Sequence, residues 1–506
     1  MEQILEAFKL IFNFNVILIV ICGTVLGAVV GSLPGLSGTM AIAIALPVTF
    51  YISPWLGIPL ILAIYKSSQW AGAVGSIVIN TPGNAANAAM LLDGYPLKQH
   101  GHAQLALDAS LKAGWAADLF SDVVTILICA PLATAALLFR PPEFTLIIII
   151  AFMMIATMNS GSALKTIVAA GLGLFFSTVG QDPLMGTPRL NFCLTDLYSG
   201  FNLVPLLIGV FALSEIFIQM SSMITGKGKQ EQSMDLREDK GQEKENFEHF
   251  SFFDLWKKYF FPWFRSSLIG TWIGVLPGIG SGVSPWMAYG LSKARSRHPE
   301  EYGKGSLEGL ISAQAACNAV GGSNLVPLIA LGIPGDTTAA ILLGALMVHG
   351  IQPGPTFFQS DPVSVYAIFM TLIVCDIAYY FVGKVLIKGV TKISSFDNRI
   401  LVPYVLIFCV LGTYAINSSI FDVYVMFVFG LLGFVMKKFG FSTPAFVIAY
   451  VLGYLLETNL RQTLKLSDGH FWVFLKDPLC ALLFALALFI LYWFVRKNKI
   501  KEQSSL

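Results

Sequence analysis

Gly27-Ala-Val-Val-Gly31-Ser-Leu-Pro34-Gly35 closes a long apolar run, and Gly270-Thr-Trp-Ile-Gly274-Val-Leu-Pro277-Gly278 spells the same phrase 243 positions later. Proline removes a backbone N–H and pushes the residue before it out of the helical region, and the glycine beside it loosens the chain further. Inside a membrane the freed backbone groups find no water, so such a break survives only where it is buried in protein or lines a cavity. Two breaks in corresponding places of two halves point to a site built from discontinuous helices at a repeat interface, the pattern of a transporter.

The 506 residues are 55% hydrophobic and 12% charged, and the mean hydropathy of +0.71 excludes a soluble globular protein. Apolar runs near residues 10–31, 57–80, 116–138, 143–158, 163–179, 203–222, 363–383, 400–437, 443–458 and 471–495 are each long enough, or nearly so, to cross a bilayer. The prediction is an all-α polytopic membrane protein of about ten to twelve transmembrane helices, with paired broken or re-entrant helices. The first run passes straight into Pro34-Gly35 without a small-residue cleavage site, so it reads as structure and not as a removable signal peptide. A net charge of +2 gives no reason to expect a nucleic-acid partner. Seven cysteines, Cys22, Cys129, Cys193, Cys317, Cys375, Cys409 and Cys480, stand singly without disulfide or metal-ligand spacing and read as packing residues.

One stretch is plainly aqueous. Over 224–260, Lys227, Lys229, Arg237, Lys240 and Lys244 mix with Asp235, Glu238, Asp239, Glu243 and Glu245, the composition of a flexible linker. It divides the chain into a first membrane half, 1–223, a hydrophilic linker, 224–260, and a second membrane half, 261–500. Basic residues gather in the linker, at Lys293, Arg295 and Arg297, from Lys384 to Lys392, at Lys437 and Lys438, and in Arg496, Lys497, Lys499 and Lys501. The positive-inside bias assigns these segments to the cytoplasm. The loop at Ser53-Pro54, which follows the first Pro-Gly as Lys293–Arg297 follows the second, has no basic residue. Opposite sidedness of matched loops implies inverted repeats.

A second pair supports duplication. Asn80-Thr81-Pro82-Gly83-Asn84 resembles Gly332-Ile-Pro334-Gly335-Asp336, 252 positions on. Four Pro-Gly breaks, flanked by small, amide and hydroxyl residues, could converge on one cavity. Half-helix N-termini would favour an anion there, and freed carbonyls would suit a cation such as Na⁺.

In order along the chain come Gly-x3-Gly-x-Leu-Pro-Gly, Pro82-Gly83 with Leu92-Asp93-Gly94-Tyr95-Pro96, and Val179-Gly-Gln-Asp182-Pro. They are followed by Leu276-Pro-Gly278 with Tyr289, Glu308-Gly309, Asn318, Pro327, Leu331-Gly-Ile-Pro334-Gly335 and Gly350-Ile-Gln-Pro353-Gly-Pro355. Leu456-Glu457, Leu460-Arg461-Gln462 and Leu466-Ser467-Asp-Gly469 complete the series. This order resembles the large membrane subunit of the tripartite tricarboxylate transporters, the TctA family, from about residue 20 to 480. The resemblance implies a multi-pass permease of the bacterial inner (cytoplasmic) membrane for organic tricarboxylates or dicarboxylates. It also implies two partners, a smaller membrane subunit and a periplasmic solute-binding protein. An ion gradient would drive uptake, with Na⁺ or H⁺ as coupling ion and no cofactor. In keeping with that, the chain has no Gly-x4-Gly-Lys-Ser/Thr loop for a nucleotide. Where the family usually has an aromatic- and glycine-rich Tyr-Gly-Gly stretch, this chain reads Tyr65-Lys66-Ser-Ser-Gln69-Trp70-Ala-Gly72-Ala-Val-Gly75.

The candidate substrate-binding residues are those at the breaks, Gly35, Ser37, Asn80, Thr81, Pro82, Gly83, Asn84, Gly278, Ser281, Pro334, Gly335, Thr337 and Thr338, together with Asn318 and Asn324. The hydroxyl and amide groups suit either ligand contact or capping of freed N–H groups. Gly23, Gly27 and Gly31, like Gly270, Gly274 and Gly278, recur every four residues, which suits close helix packing. Asp336, the one acid beside a break, and Lys66, a charge in a mostly apolar segment, are the ion-coupling candidates. Lys66 equally suits snorkelling to an interface. Asp118 and Asp122 share a helix face, and Glu215, Asp376 and Asp422 are embedded in apolar runs. None of these five is assigned a role.

An intramembrane serine protease is the competing reading. Gly35-Leu-Ser37-Gly38 matches the rhomboid-type Gly-x-Ser-Gly, but the repeat puts Gly280 where Ser37 stands, and only His349 of six histidines ends an apolar stretch. No metalloprotease His-Glu-x-x-His motif is present. A passive channel lacks a ring of repeated charges or a carbonyl-filter signature. The expectation is a non-enzymatic secondary transporter subunit working by alternating access.

Overall fold

The computed structural model describes residues 2–33, 36–158, 163–225, 250–277, 280–393 and 398–504. After α1 (Glu2–Ile11), α2 (Phe14–Ser32) stops because Leu33, the residue before Pro34, is extended at φ −85° and ψ 131°, as a following proline demands. Helix α3 (Gly38–Thr49) restarts beyond the break. Helix α4 (Pro54–Ile79) ends on Asn80 in the left-handed region, φ 54°, and the Thr81 N–H turns back to the Gly75 carbonyl. A 3₁₀ turn, Ala85–Met90, leads to α5 (Leu91–Gln99) and α6 (Ala103–Ala136). Then come α7 (Pro141–Met158), α8 (Ala163–Ser177) and α9 (Leu203–Met223).

The second half replays these endings. After α10 (Phe252–Lys257), α11 (Phe260–Val275) stops where Leu276, before Pro277, is extended at φ −85° and ψ 114°. Helix α12 (Ser284–Arg295) follows, then α13 (Leu307–Ser323) and α14 (Leu325–Leu331). Gly332 closes α14 at φ 71°, and the Ile333 N–H turns back to the Pro327 carbonyl. Shifted by 252 positions, these are Asn80, Thr81 and Gly75. Helices α15 (Thr337–Val348), α16 (Pro362–Ile393), α17 (Asn398–Asn417), α18 (Ile420–Lys438), α19 (Thr443–Leu466) and α20 (Pro478–Ser504) complete the chain.

Helix α2 lies along α4 and α11 along α13. The glycine stripes make that possible. A Cβ on Gly31 would come within 2.9 Å of the Ser68 backbone, and one on Gly270 within 2.9 Å of the Ala319 Cβ. Helix α6 then packs along α13, and α16 along α2 and α4, so each half holds the other half's central pair. Asp93 of α5 adds a polar tie, accepting from the N–H groups of Gly303, Gly305 and Ser306 at 2.8–3.0 Å.

Five described helices are long and apolar enough to cross a membrane: Phe14–Ser32, Ala103–Ala136, Leu203–Met223, Pro362–Gly389 and Ile420–Lys438. Their outward residues, such as Leu18, Leu127, Phe381 and Val428, are exposed, while Lys66, Asp118 and Asp122 are buried. That inversion of the usual soluble pattern fits lipid as the surrounding solvent.

Residues 226–249 of the expected linker lie outside the described residues. From Phe250 on, the stretch read as linker is folded, because its aromatic content binds it to the helices. Phe250 and Leu255 are buried, and Lys112 of α6 donates to the Phe250 carbonyl. A two-residue β-ladder pairs Gly180–Gln181 with Pro188–Arg189. Two arginines clasp it to α19: Arg189 makes a fork to Glu457 at 2.6 and 3.0 Å, and Arg461 bonds Asp182 at 2.5 Å and Glu457 at 2.9 Å. The Arg461 hydrogen bond, aided by the Met185 and Leu184 N–H groups, lowers the Asp182 carboxyl to about 2.

Candidate functional site

The breaks converge. Ser37 caps α3 by accepting from the Met40 N–H at 3.2 Å, and Asp336 caps α15 by accepting from the Ala339 N–H at 2.8 Å. Two residues in from each cap, Thr39 and Thr338 meet hydroxyl to hydroxyl at 3.4 Å. Half-helices from the two halves thus bring their N-termini together. A Cβ on Gly83 would come within 2.6 Å of the Gly31 carbonyl and 2.7 Å of the Gly72 Cα. The Gly335 counterpart would meet the Asn324 Oδ1 at 2.6 Å and the Gly274 carbonyl at 3.4 Å. Gly83 and Gly335 therefore hold neighbouring backbones close, which leaves no room for a side chain. Gly35 and Gly278 lie outside the described residues.

Around these backbones the partly exposed residues are Ser37, Thr39, Thr81, Pro82, Asn84, Ser281, Asp336, Thr337 and Thr338. Asn84 accepts from both the N–H and the side-chain amide of Asn87, at 3.0 and 2.9 Å, and reaches Gln69 at 3.5 Å. Asn80 is exposed and serves as the left-handed end of α4. Pro334 is buried. Asn324 donates to the Tyr65 hydroxyl at 3.3 Å, and its own Oδ1 faces Gly335 without a donor among the described residues. Asn318 stands apart, bonded to Gln314 at 2.6 Å and to Tyr379 at 3.4 Å.

Lys66 does not snorkel. It is 0% exposed, and its ammonium donates to Asp122 and Asp376 at 2.6 Å each and to Asp118 at 3.0 Å. Helices α4, α6 and α16 supply the four side chains, and the glycines of α13 make room: a Cβ on Gly322 would press on Asp122. One oxygen of each carboxyl lies within 4.8 Å of those of the other two. Ionised carboxylates that close repel by about 3 kcal/mol per pair at an effective dielectric of 20. The ammonium donates to one oxygen of each of the three acids and so stands between them. The other acidic grouping, Glu143, Asp477 and Cys480, is also spoken for: the Cys480 thiol and the Arg140 N–H bond Glu143, and Arg140 pairs with Asp477.

The sequence reading found Lys66 but not its partners. The signal was there in Asp118 and Asp122, one turn apart in an apolar run, yet Glu215 and Asp422 look the same in sequence. Glu215 pairs with Lys437 at 2.9 Å and Asp422 with Asn417 at 2.7 Å, both local supports. The protease reading gains nothing from the geometry. The Ser37 hydroxyl caps a helix near Thr338, whereas His349 lies at the far end of α15, about 16 Å along the helix.

Fold and site define an all-α, multi-pass membrane protein with discontinuous helices. The sequence pattern described as the tripartite tricarboxylate transporter TctA family matches residues 17–448. The chain belongs to that family, which supplies the large subunit of these transporters. It is 33% identical over 466 residues to an uncharacterised 52.8 kDa protein from the ttuC′ 3′ region of TAR-I in Agrobacterium vitis, covering 92% of this chain and 90% of that one. A second uncharacterised protein, from the ttuC′ 3′ region of TAR-II in the same organism, is 34% identical over 219 residues, 43% of this chain and 90% of its own length. No solved structure matches.

Proposed function

We propose that this chain is the permease subunit of a binding-protein-dependent secondary transporter that carries organic tricarboxylates or dicarboxylates across the bacterial inner membrane. The observation that carries the reading is the meeting of α3 and α15 at Thr39 and Thr338. Converging half-helix N-termini aim N–H groups and positive dipole ends at one place, which suits a carboxylate. Partly exposed hydroxyl and amide groups of Ser37, Asn84, Ser281, Thr337 and Thr338 supply further donors there. Asp336, the one acid beside a break, suits a cation travelling with the anion. Membership of a tripartite family supports a small membrane subunit and a periplasmic solute-binding protein as partners. The substrate reaches the break region from that binding protein, and one part of the permease moves against the other around the site.

The test is uptake of labelled citrate and of a dicarboxylate in cells that supply all three subunits, with surface protein controlled. Thr338→Val and Asn84→Ala each remove one donor to a charged ligand, so uptake should fall about tenfold or more. Normal uptake in both variants, or uptake that does not need the binding protein, would count against the reading.

A further inference from the structure

Lys66, Asp118, Asp122 and Asp376 are 0–1% exposed, and one ammonium faces three carboxyl groups. With every acid ionised, two negative charges would be left without a partner in the dry interior. Buried charges survive when paired, and otherwise neutralise by taking up a proton. Geometry favours protons over a metal cation. The ammonium already stands between the three acids. No donor reaches Asp122 Oδ1 or Asp376 Oδ2 among the described residues. The Asp122 and Asp376 carboxyl groups each bring an oxygen within 4.8 Å of the other's. Two carboxylates that close in a dry interior repel, and one neutralises by taking up a proton.

We propose that Asp122 and Asp376, supported by Asp118 and with Lys66 as fixed counter-ion, are the proton-coupling site of this transporter. The proposal rests on the transporter reading above. A carboxylate oxygen takes a proton from water on one side of the membrane, forming an O–H bond, and returns it to water on the other side. No electrons are transferred. Asp376 lies on α16 of the second half, and Lys66, Asp118 and Asp122 lie on α4 and α6 of the first. Protonation therefore changes the charge tie between the halves. Tyr65 and Asn324 extend the connection to the fourth break, where the Asn324 Oδ1 faces Gly335. The other titratable groups facing the cluster are neutral ones, Tyr65 of α4, Cys375 and Tyr379 of α16 and Cys317 of α13. Helix α2, packed on α4 and α16, brings only the exposed Cys22.

Infrared spectroscopy of the purified full-length protein reads the protonation directly. At pH 7 the expected result is a protonated-carboxyl band that Na⁺ leaves unchanged and that Asp122→Asn and Asp376→Asn each diminish. Absence of the band in the unmodified protein, or its loss on adding Na⁺ at constant pH, overturns the proposal whatever transport does. In proteoliposomes with both partner subunits, the same variants should keep citrate exchange within about threefold while losing accumulation driven by a pH gradient by about tenfold or more. Variants that accumulate citrate like the unmodified protein also overturn it. An unmodified protein that exchanges no citrate counts against the transporter reading, and the infrared result still decides the proton site.

Discussion

Two charge clusters tie distant parts of this chain together, and they are built on opposite terms. The outer one sets Arg189 and Arg461 against Asp182 and Glu457, two cations for two anions, with the arginines 28% and 34% exposed. The inner one sets Lys66 alone against Asp118, Asp122 and Asp376, with at most 1% exposure. A balanced cluster beside water needs nothing more than its own members and reads as a clasp. An unbalanced cluster in a dry interior is costly to keep, and membrane proteins retain such groups where charge must move.

The largest effect should come from Lys66→Met. Three buried carboxyls would lose the one cation that meets them among the described residues, and the purified protein should lose about 3–5 kcal/mol, read as a lower melting temperature in detergent. A variant melting like the unmodified protein would erase the contrast. Gly322→Ala tests the space beside Asp122, where a Cβ would stand 3.2 Å from the Asp122 Cγ. Overpacking of this kind costs about 1–3 kcal/mol, and Lys66→Met and Gly322→Ala together should fall short of their sum, because both act on one cluster.

Arg189→Lys removes the fork to Glu457 but keeps the charge. Being partly exposed, the pair should cost less than about 1 kcal/mol, visible as faster proteolysis of the 178–202 loop and little change in melting. The smallest effect is that of pH on the outer clasp. Asp182 sits at about 2 against an ordinary 3.8, so its contribution is present above 3.8 and is lost as pH falls through about 2. Protection of the hairpin amides against hydrogen exchange, relative to the intrinsic rate at each pH, should therefore be the same at pH 7 and pH 5. Release of the hairpin by pH 5 would mean that the clasp is not what holds it.

The helix breaks were legible because proline acts on its own neighbours. Leu33 and Leu276 are extended for a steric reason that spans one peptide bond, and Asn80 and Gly332 adopt the left-handed turn at matched places. The glycine stripes were legible too, since spacing every four residues decides which face is flat. Gly83 and Gly335, expected from the sequence to line a cavity, stand at points of close contact with their neighbours, which only the neighbouring helices could reveal. The same limit applied to the aspartates. Asp118, Asp122 and Asp376 lie 52, 56 and 310 positions from Lys66, and nothing local separates them from Glu215 or Asp422. The sequence by itself determined the membrane class, the family and the four breaks, because hydropathy, motif order and backbone sterics are local. Tertiary structure alone decided which charges meet, because electrostatic energy depends on distance in space and on the absence of water between the groups.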